Sequence, residues 1–374
     1  MVALGSGVGA ARYARILTQA GFEVTLLAGG QRRMRLFRSV SRVVASSNGY
    51  SAPATAESVL ALLDREPFQT TVIFDESVLR SLIDLATEGR PMPAGLLPVP
   101  ADRAHLAAVR GKTGFAAAAL AAGLPLPDSR ICPDAASARR ALAELGSPSI
   151  LKGDAGSGGQ TVRAVHGPGD IEPALEQMRA AFPVVVQRFV RGREGSSALL
   201  LADGELQAWT TSYDFQGFPG PHSSRSSRRY QDVPSVRPVL EGIGRLTRFT
   251  GLCGVDWIEE EGTRRIFAIE FNPRPVRSMI FNRCPGVDFG RGLLALASGE
   301  RLLQEPRFDR PFSVRLFPEH VRYCVRQRDL AGLLSWLPGV SRNDFPWDDP
   351  ALGVATIKSA IGDVLDEAGI RRRR

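Results

Sequence analysis

The sequence predicts an α/β protein that begins with a small, open, doubly wound domain. Residues 2–4 and 23–28 are short apolar runs on either side of a helical pattern over 11–20, which makes a β-α-β opening. Further β-type runs alternate with helical patterns, in the order 42–45, 56–63, 70–74 and 79–87. Such alternation is typical of a parallel sheet with helices on both faces. A hydrophobic fraction of 44% and a charged fraction of 23% are those of an ordinary globular protein.

The turn inside this opening, residues 5–10, reads GSGVGA and fits the pattern G-x-G-x-x-A. Taken alone, it predicts a dinucleotide site, because such turns place phosphate at a helix N-terminus. A dinucleotide site also needs an acidic residue at the end of the second strand, and here the strand runs into residues 28–32, AGGQR. We therefore favour a tight turn that packs the helix on the sheet. An NAD-type oxidoreductase that uses this turn stays open as an alternative.

The charge of the chain raises the question of nucleic-acid binding. The formal net charge is +8, the pI is near 9.8, and residues 371–374 are four arginines. The other arginines are spread along the chain, so we expect no nucleic-acid partner. The apolar runs are too short to span a bilayer and the N-terminus lacks a leader pattern, which predicts a cytoplasmic protein with no membrane partner. The cysteines show no C-x-x-C pair, which argues against a disulfide framework or a zinc site: Cys132, Cys253, Cys284 and Cys324.

A glycine-rich stretch at residues 150–165 is the most informative part of the sequence. A short apolar run leads to Lys152, four glycines follow within seven residues, and a second β-type run begins at Thr161. This predicts a hairpin lid that can cover phosphates, since glycines let backbone N–H groups approach a polyanion. The alternative is an ordinary glycine-rich surface hairpin. Only three of the 47 basic residues are lysines, namely Lys112, Lys152 and Lys358.

The segments around the lid have helical and β-type patterns in turn. A helical pattern from Asp102 carries Lys112 into an alanine-rich helix over 114–122, and a second helix covers 135–145. A helix near 170–182, a strand over 183–187 and a β-type run over 197–202 follow the lid. Residues 213–234 are predicted to be a polar loop, and a helix over 235–250 follows it.

A predicted hairpin over 254–260 and 264–271 places acidic side chains together. The period of two puts Glu270 and Asn272 on one face, and a turn near Gly262 brings Asp256 opposite Glu270. Two carboxylates and an amide oxygen are hard ligands suited to Mg²⁺. The alternative is a solvated sheet edge with incidental acids. The apolar run over 266–269 favours the metal site, because a carboxylate in a buried strand is costly without a cation.

In this order and spacing, the segments resemble the ATP-grasp superfamily, in particular its carboxylate–amine ligases and the carbamoyl phosphate synthase large chains. The resemblance covers residues 96–299. It rests on Lys112 before the alanine-rich helix, Lys152 before the glycine lid, the segment 187–190 with Glu194, Asp256, and the run EFNPR at 270–274. It implies four parts: a pre-ATP-grasp domain at 1–95, two α+β subdomains at 96–190 and 191–300 that clasp ATP, and a small C-terminal cap at 301–374.

The resemblance also implies roles for individual residues. Gln187 would face the adenine amino group, Glu194 would accept the ribose hydroxyls, and Arg274 would stabilise charge on the acyl phosphate. The complete implied ATP site is Lys112, Lys152, Gly156, Ser157, Gly158, Gly159, Gln187, Phe189, Val190 and Glu194. The implied metal ligands are Asp256, Glu270 and Asn272. The candidate substrate residues are His222, Arg225, Arg228, Arg277 and Ser278.

Two positions depart from the family pattern. The position of Gln187 is commonly Glu, so the amide keeps an oxygen acceptor without the charge. Gly254 stands where D-alanine ligases carry an arginine, which argues against that activity and turns attention to Arg225, Arg228 or Arg229.

The implied reaction is an ATP-dependent ligation of a small carboxylate and a small amine through an acyl phosphate. Its cofactors would be ATP and Mg²⁺, with Mn²⁺ as the alternative ion, and a homodimer is an open expectation. A bicarbonate-using carboxylase is the alternative within the superfamily, because Asn272-x-Arg274 is also similar to a bicarbonate-binding pattern.

Overall fold

The structure is a computed structural model that describes residues 2–4, 8–28, 32–46, 51–156, 161–217, 225–281, 286–334 and 342–367. The predicted α/β class is confirmed, since strands and helices alternate along the described ranges and the strands form three sheets. None of the helices in these ranges combines the length and apolar composition that crossing a bilayer requires.

The N-terminal sheet has four parallel strands in the order β3-β2-β1-β4. Its elements are β1 (Val2–Leu4), α1 (Val8–Gln19), β2 (Thr25–Ala28), β3 (Arg42–Ala45), α2 (Ala52–Arg65), β4 (Thr71–Ile73) and α3 (Glu76–Thr87). Leu26 packs with α1 in one core, and Leu27 packs with α2 and α3 in another. Because successive strand residues face opposite sides, helices cover both faces, as the doubly wound prediction requires.

The small sheet has four antiparallel strands in the order β5-β8-β6-β7. Its elements, with the two helices before it, are α4 (Arg103–Arg110), α5 (Lys112–Ala121), β5 (Ser129–Cys132), α6 (Ala135–Leu145), β6 (Ser149–Gly153), β7 (Val162–Val165), α7 (Ile171–Gln177) and β8 (Val184–Arg188). A capping box at Asp134 begins α6, and Gly146 with φ 72° ends it. The single helical pattern predicted from Asp102 is divided at Gly111, whose extended backbone separates α4 from α5.

The large sheet has seven strands in the order β13-β12-β9-β10-β11-β14-β15. Its elements are β9 (Gly192–Ala202), β10 (Glu205–Gly217), β11 (Arg225–Tyr230), α8 (Arg237–Thr247), β12 (Gly251–Glu260), β13 (Ile266–Asn272), α9 (Phe289–Ala297), β14 (Phe312–Arg315), α10 (Glu319–Gln327), α11 (Leu330–Leu334), β15 (Arg342–Asn343) and α12 (Pro350–Glu367). Two strands from the C-terminal quarter, β14 and β15, thus extend the sheet that carries the predicted metal hairpin.

The prediction of a loop over residues 213–234 is wrong. β10 continues to Gly217, and Arg225, Arg228 and Arg229 belong to strand β11. The sequence RSSRRY of β11 has polar residues on both faces of the strand, so it lacks the apolar alternation by which a half-buried strand is recognised.

Two hydrophobic cores pack helices against the two faces of the large sheet. Leu199, Leu201 and Trp257 on one face pack with residues of α5 and α8. Ala198 and Leu200 on the other face pack with residues of α1 and α9. The first turns of α1 therefore lie beside the sheet face that carries Asp256, since Asp256 and Ala198 share that face through Gly254.

Candidate active site

Lys112 connects the start of the glycine-rich stretch with the strand of the predicted metal ligands. Lys112 is the first residue of α5, and its Nζ donates a hydrogen bond to the Gly156 carbonyl at 2.7 Å. The same Nζ lies 3.3 Å from Glu270 Oε1. The ammonium group therefore lies between the glycine-rich stretch that is predicted to cover phosphates and the predicted metal ligand Glu270. A phosphate oxygen beside Glu270 would lie within its reach.

Lys152 is held by acceptors on two sheets. Its Nζ donates to Gln187 Oε1 at 2.8 Å and to the Ile269 carbonyl at 2.9 Å. Gln187 Nε2 in turn donates to Ser129 Oγ at 3.0 Å, so both ends of the Gln187 amide are engaged within the protein. Burial lowers the pKa of Lys152 to about 8, and the charge of Glu270 opposes that shift. The oxygen of Gln187 that was expected to face adenine is bonded to Lys152 in this structure.

The predicted pairing of Asp256 with Glu270 is confirmed by the strand register. Asp256 pairs with Glu270 and Trp257 with Ala268, which leaves Ile269 as an extra residue in a β-bulge. The carbonyl of Ile269 is the one that accepts from Lys152. The bulge thus supplies an acceptor to the lysine, while Asp256 and Glu270 stay side by side.

Asn272 links Asp256 to Arg274. Asn272 Nδ2 donates to Asp256 Oδ2 at 3.1 Å, and Arg274 Nη2 donates to Asn272 Oδ1 at 3.3 Å. Arg274 Nε lies 3.4 Å from Glu76 Oε2, at the start of α3. One chain of polar contacts therefore runs from the large sheet to the N-terminal domain.

The donors at this position fit a divalent cation in type. Burial and the charge of Glu270 raise the pKa of Asp256 to about 6, and the charge of Arg228 opposes the shift. A cation between the two carboxylates would remove their repulsion. The described residues contain no group of three or more His, Cys, Asp or Glu side chains placed to hold a metal, so Asn272 Oδ1 would be the third protein donor. The ligand roles of these three residues remain predictions.

The remaining predicted ATP residues differ in their conformation, burial and hydrogen bonding. Gly156 has φ +113°, a conformation that favours glycine, and a Cβ there would lie 2.8 Å from Thr161 Oγ1. The Phe189 N–H already donates to the Pro148 carbonyl at 3.1 Å, whereas Val190 is buried. Glu194 is half-buried, and its charge acts on Lys152. Ser157, Gly158, Gly159 and His222 lie outside the described residues, as does the side chain of Arg225.

An anchor at the base of the lid was not predicted from the sequence. Asp154 accepts from Arg80 Nη1 at 2.8 Å and from the Thr113 backbone N–H at 3.0 Å. Arg80 Nη2 also donates to the Asp154 carbonyl at 2.8 Å. These bonds tie the residue after Gly153 to α3 and α5. The only sequence signal was a single acid in a glycine-rich run, which does not identify its partners.

The predicted substrate residues contact different parts of the chain. Arg277 donates to Asp344 Oδ2 at 2.5 Å and to Glu319 Oε2 at 2.8 Å, so its guanidinium group binds the C-terminal part of the chain. Arg228 Nε instead lies 3.2 Å from Asp214 Oδ1 on the neighbouring strand. Ser278 is buried, and its carbonyl accepts from Tyr230 Oη at 2.8 Å.

Gly254 has a packing reason to lack a side chain. A Cβ at this position would lie 2.5 Å from Val276 Cγ1, so an arginine does not fit there without movement of the segment that follows Arg274. If the predicted acceptor site requires a cation, another strand would have to supply it.

Four of the predicted residues line one cleft. Lys112, Lys152, Gln187 and Glu270 face it together, with Phe115 and Phe271 as apolar walls. A larger cleft of about 430 Å³ lies elsewhere, between β4, residues 93–98 and α9, and contains none of the predicted ATP or metal residues. Convergence of lysines and carboxylates, rather than size, makes the smaller cleft the candidate active site.

Comparison with protein families gives a match over the centre of the chain, where residues 116–278 fit the ATP-grasp domain family. These residues form an ATP-grasp domain. The predicted resemblance is thereby confirmed, and the match includes Lys152, the lid, Asp256, Glu270 and Arg274.

Curated relatives of the ATP-grasp domain have low identity. The carbamoyl phosphate synthase large chain of Rubrobacter xylanophilus is 26% identical over 268 residues, which are 69% of this chain and 25% of that protein. The phosphoribosylamine–glycine ligase of Streptomyces coelicolor is 28% identical over 289 residues, which are 67% of this chain and 66% of that enzyme. The chain thus spans about a quarter of the length of the carbamoyl phosphate synthase large chains it matches.

Solved structures share the fold. An N5-carboxyaminoimidazole ribonucleotide synthetase in complex with ADP superimposes with a TM-score of 0.65 at 15% identity, covering 88% of this chain and 84% of that one. The biotin carboxylase domain dimer of the 2-oxoglutarate carboxylase from Hydrogenobacter thermophilus, with MgADP, ADP and bicarbonate, gives 0.64 at 17% identity, covering 83% and 73%. At these identities the likeness shows the fold alone.

Proposed function

We propose that this chain is an ATP-dependent carboxylate–amine ligase. The observation that carries the proposal is the cleft in which Lys112 and Lys152 meet Glu270, which pairs with Asp256 across the hairpin. Cations for phosphate oxygens and carboxylates for a metal ion are the two things that phosphoryl transfer from ATP requires of a protein. Proteins of the same fold whose structures contain ADP support the proposal.

The proposed reaction has two steps. A substrate carboxylate oxygen attacks the γ-phosphorus of ATP, the bond from that phosphorus to the ADP oxygen breaks, and an acyl phosphate forms. The amine nitrogen then attacks the acyl carbon, the bond from carbon to the phosphate oxygen breaks, and the amine gives up a proton as phosphate leaves. The products are an amide, ADP and phosphate.

The residues of this chain act by position and charge. Lys112 would hold phosphate oxygens beside Glu270, and Arg274 would stabilise negative charge on the acyl phosphate. Asp256, Glu270 and Asn272 would hold Mg²⁺, or Mn²⁺ in its place. The bound ion would neutralise charge on the phosphate oxygens. No covalent bond to the protein is required, so binding and orientation account for the catalysis.

We also propose the division of the chain into a pre-ATP-grasp domain (1–95), two subdomains (96–190 and 191–300) and a C-terminal part (301–374). ATP would lie between the small sheet and the large sheet, where Lys152 of β6 contacts Ile269 of β13. The partners would be a small carboxylate and a small amine.

The proposal is tested by measuring ADP release over pairs of carboxylates and amines with wild-type protein and Glu270→Gln. Loss of the carboxylate should lower kcat on the order of a hundredfold. Glu261→Gln, an exposed glutamate at the turn of the same hairpin, is the matched control and should retain activity. A Glu270→Gln protein with normal turnover would contradict the assignment.

A bicarbonate-using carboxylase is a second candidate, favoured by the Arg274–Asn272 contact beside Asp256 and by the bicarbonate in a protein of the same fold. This activity would release phosphate in the presence of bicarbonate without an amine. The ligase requires both the acid and the amine for a complete turnover, so omission of each in turn separates the two.

A further inference from the structure

The large sheet presents a polar face next to the predicted metal site. Cross-strand pairing places Glu270, Asp256, Ser196, Ser212 and Tyr230 in one row across five strands. Asp214 and Arg228 pair with each other two residues further along their strands, and therefore on the same face. We call these seven residues the polar face. Its catalytic half is explained by the proposed function, and its half on β10 and β11 is not.

Arg228 has buried donors without a hydrogen-bond acceptor in the described residues. Its side chain is 17% exposed, and Nε lies 3.2 Å from Asp214 Oδ1. Nevertheless, neither Nε nor Nη1 makes a hydrogen bond within the described part of the chain, although both atoms are buried. A buried donor without an acceptor is costly, whereas an anion that accepts from it gains a charge-assisted bond.

The opposite wall of this region comes from α1. Tyr13 stacks on Phe74 with ring centroids 5.1 Å apart. Burial raises the pKa of the Tyr13 phenol, and the guanidinium groups of Arg274, Arg277, Arg12 and Arg228 all oppose that shift. Four arginines from three separate segments therefore converge on one phenol.

All four arginines have an acidic side chain nearby, and Arg12 and Arg277 are hydrogen-bonded to theirs. Arg277 and Arg12 share Asp344, and Arg274 contacts Glu76. Arg228 faces Asp214, but without a hydrogen bond through Nε or Nη1 in the described residues.

A further buried polar atom without a partner in the described ranges belongs to the residue that the Tyr230 hydroxyl contacts. The bond from Tyr230 Oη to the Ser278 carbonyl brings Ser278 next to β11, and Ser278 Oγ is also buried without a hydrogen-bond partner in the described ranges. The unused polar atoms thus belong to the wall that faces α1.

We propose that Arg228 binds a second anionic group of the acid substrate, a carboxylate or a phosphate, while the reacting carboxylate lies at Arg274. The inference rests on the proposed function and deepens it, because it predicts that the substrate is an acid with two anionic groups. Arg274 follows β13 and Arg228 lies on β11, on either side of the strand that carries Asp256. Asp256 lies on the same face of the sheet between these two positions, so one acid that contacts both arginines would span this part of the polar face.

The test compares acids that differ in the second anionic group: butanoate with succinate, and glycerate with 3-phosphoglycerate. ADP release should show a kcat/KM about tenfold or more higher for the dianionic acid of at least one pair. Arg228→Met should abolish the preference by raising KM with little change in kcat, and Arg228→Lys should retain part of it. Arg229→Met is the matched control, since Arg229 is exposed and faces the other side of β11. The pair that responds decides between carboxylate and phosphate.

Two outcomes would overturn the inference: equal turnover of both members of each pair by the wild-type protein, or an unchanged preference in Arg228→Met. Thermal unfolding with succinate or phosphate, without ATP, is the second readout and confirms that the variants fold. Each should raise Tm of the wild type and Arg229→Met, but not of Arg228→Met. If no acid gives ADP while this Arg228-dependent shift is seen, the proposed ligase fails and the anion site stands. If the shift is absent as well, both fail.

Discussion

The two sides of the cleft hold their charged groups differently. On the side of the small sheet, the Lys152 ammonium is hydrogen-bonded to Gln187 and Ile269. On the side of the large sheet, Arg228 has buried N–H groups without a hydrogen-bond acceptor in the described ranges, and the pKa of Asp256 is raised by burial. The lysine on the first side thus has its acceptors within the protein, whereas the second side has buried donors without an acceptor in the described ranges. We therefore expect a bound ligand to stabilise the second side more than the first.

Asp256→Asn should produce the largest effect and separate activity from stability. ADP release should fall on the order of a hundredfold, because one proposed metal ligand is lost. Tm should stay equal or rise, because a neutral amide replaces a buried carboxylate that is repelled by Glu270. Activity assays and thermal unfolding of the same preparation check both. A clear fall in Tm would show instead that contacts within the protein stabilise the Asp256 carboxylate.

Lys152→Met should affect stability as well as binding. The substitution leaves Gln187 Oε1 and the Ile269 carbonyl without their donor, so the free energy of unfolding should fall by about 1–3 kcal/mol. ATP affinity should fall roughly tenfold, the order expected when one charge-assisted hydrogen bond is lost. Urea unfolding and calorimetric titration with ATP measure the two effects.

Lys358→Met is the control for that variant, because Lys358 is exposed on α12. Its unfolding curve and its ATP affinity should match the wild type. Equal stability of Lys152→Met and Lys358→Met would refute the statement that the small-sheet side is held by its own hydrogen bonds.

Arg80→Met should give a smaller effect on the base of the lid. Arg80 and Asp154 are mostly buried, with side chains 19% and 11% exposed, and removal of the cation leaves Asp154 with fewer partners. We expect a loss of about 1–3 kcal/mol in the free energy of unfolding and a rise in KM for ATP larger than the change in kcat. Arg90→Met, which breaks the exposed pair with Glu57, should cost at most about 0.5 kcal/mol. Similar losses in both variants would mean that the anchor does not depend on its burial.

The part of the site that could be predicted from sequence is the part with local signals. The β12–β13 hairpin has an apolar run and a tight turn, so its register follows from the period of two, and Asp256 lies opposite Glu270 as predicted. Lys112 and Lys152 are two of only three lysines in the sequence, and this rarity favours a specific role for them. Lys112 contacts Glu270 of this hairpin, and Lys152 contacts the Ile269 carbonyl. Both contacts depend on packing between separate elements, so the spacing of residues along the chain could not predict them.

The parts that could not be predicted lack such signals. β11 is polar on both faces, and a search for apolar alternation therefore interprets it as a loop. The engagement of Gln187 by Lys152 depends on a side-chain contact between neighbouring strands. The partners of Asp154 are 41 and 74 residues away in the chain, which no local pattern reveals.

The most direct test of the proposed chemistry follows oxygen atoms. An acid substrate labelled with ¹⁸O in its carboxylate, incubated with ATP and an amine, should transfer ¹⁸O to the released phosphate, because the acyl phosphate takes its bridging oxygen from the carboxylate. One labelled oxygen in each phosphate formed is the predicted result, measured by mass spectrometry. Unlabelled phosphate formed together with the amide would contradict the acyl phosphate route and with it the proposed function.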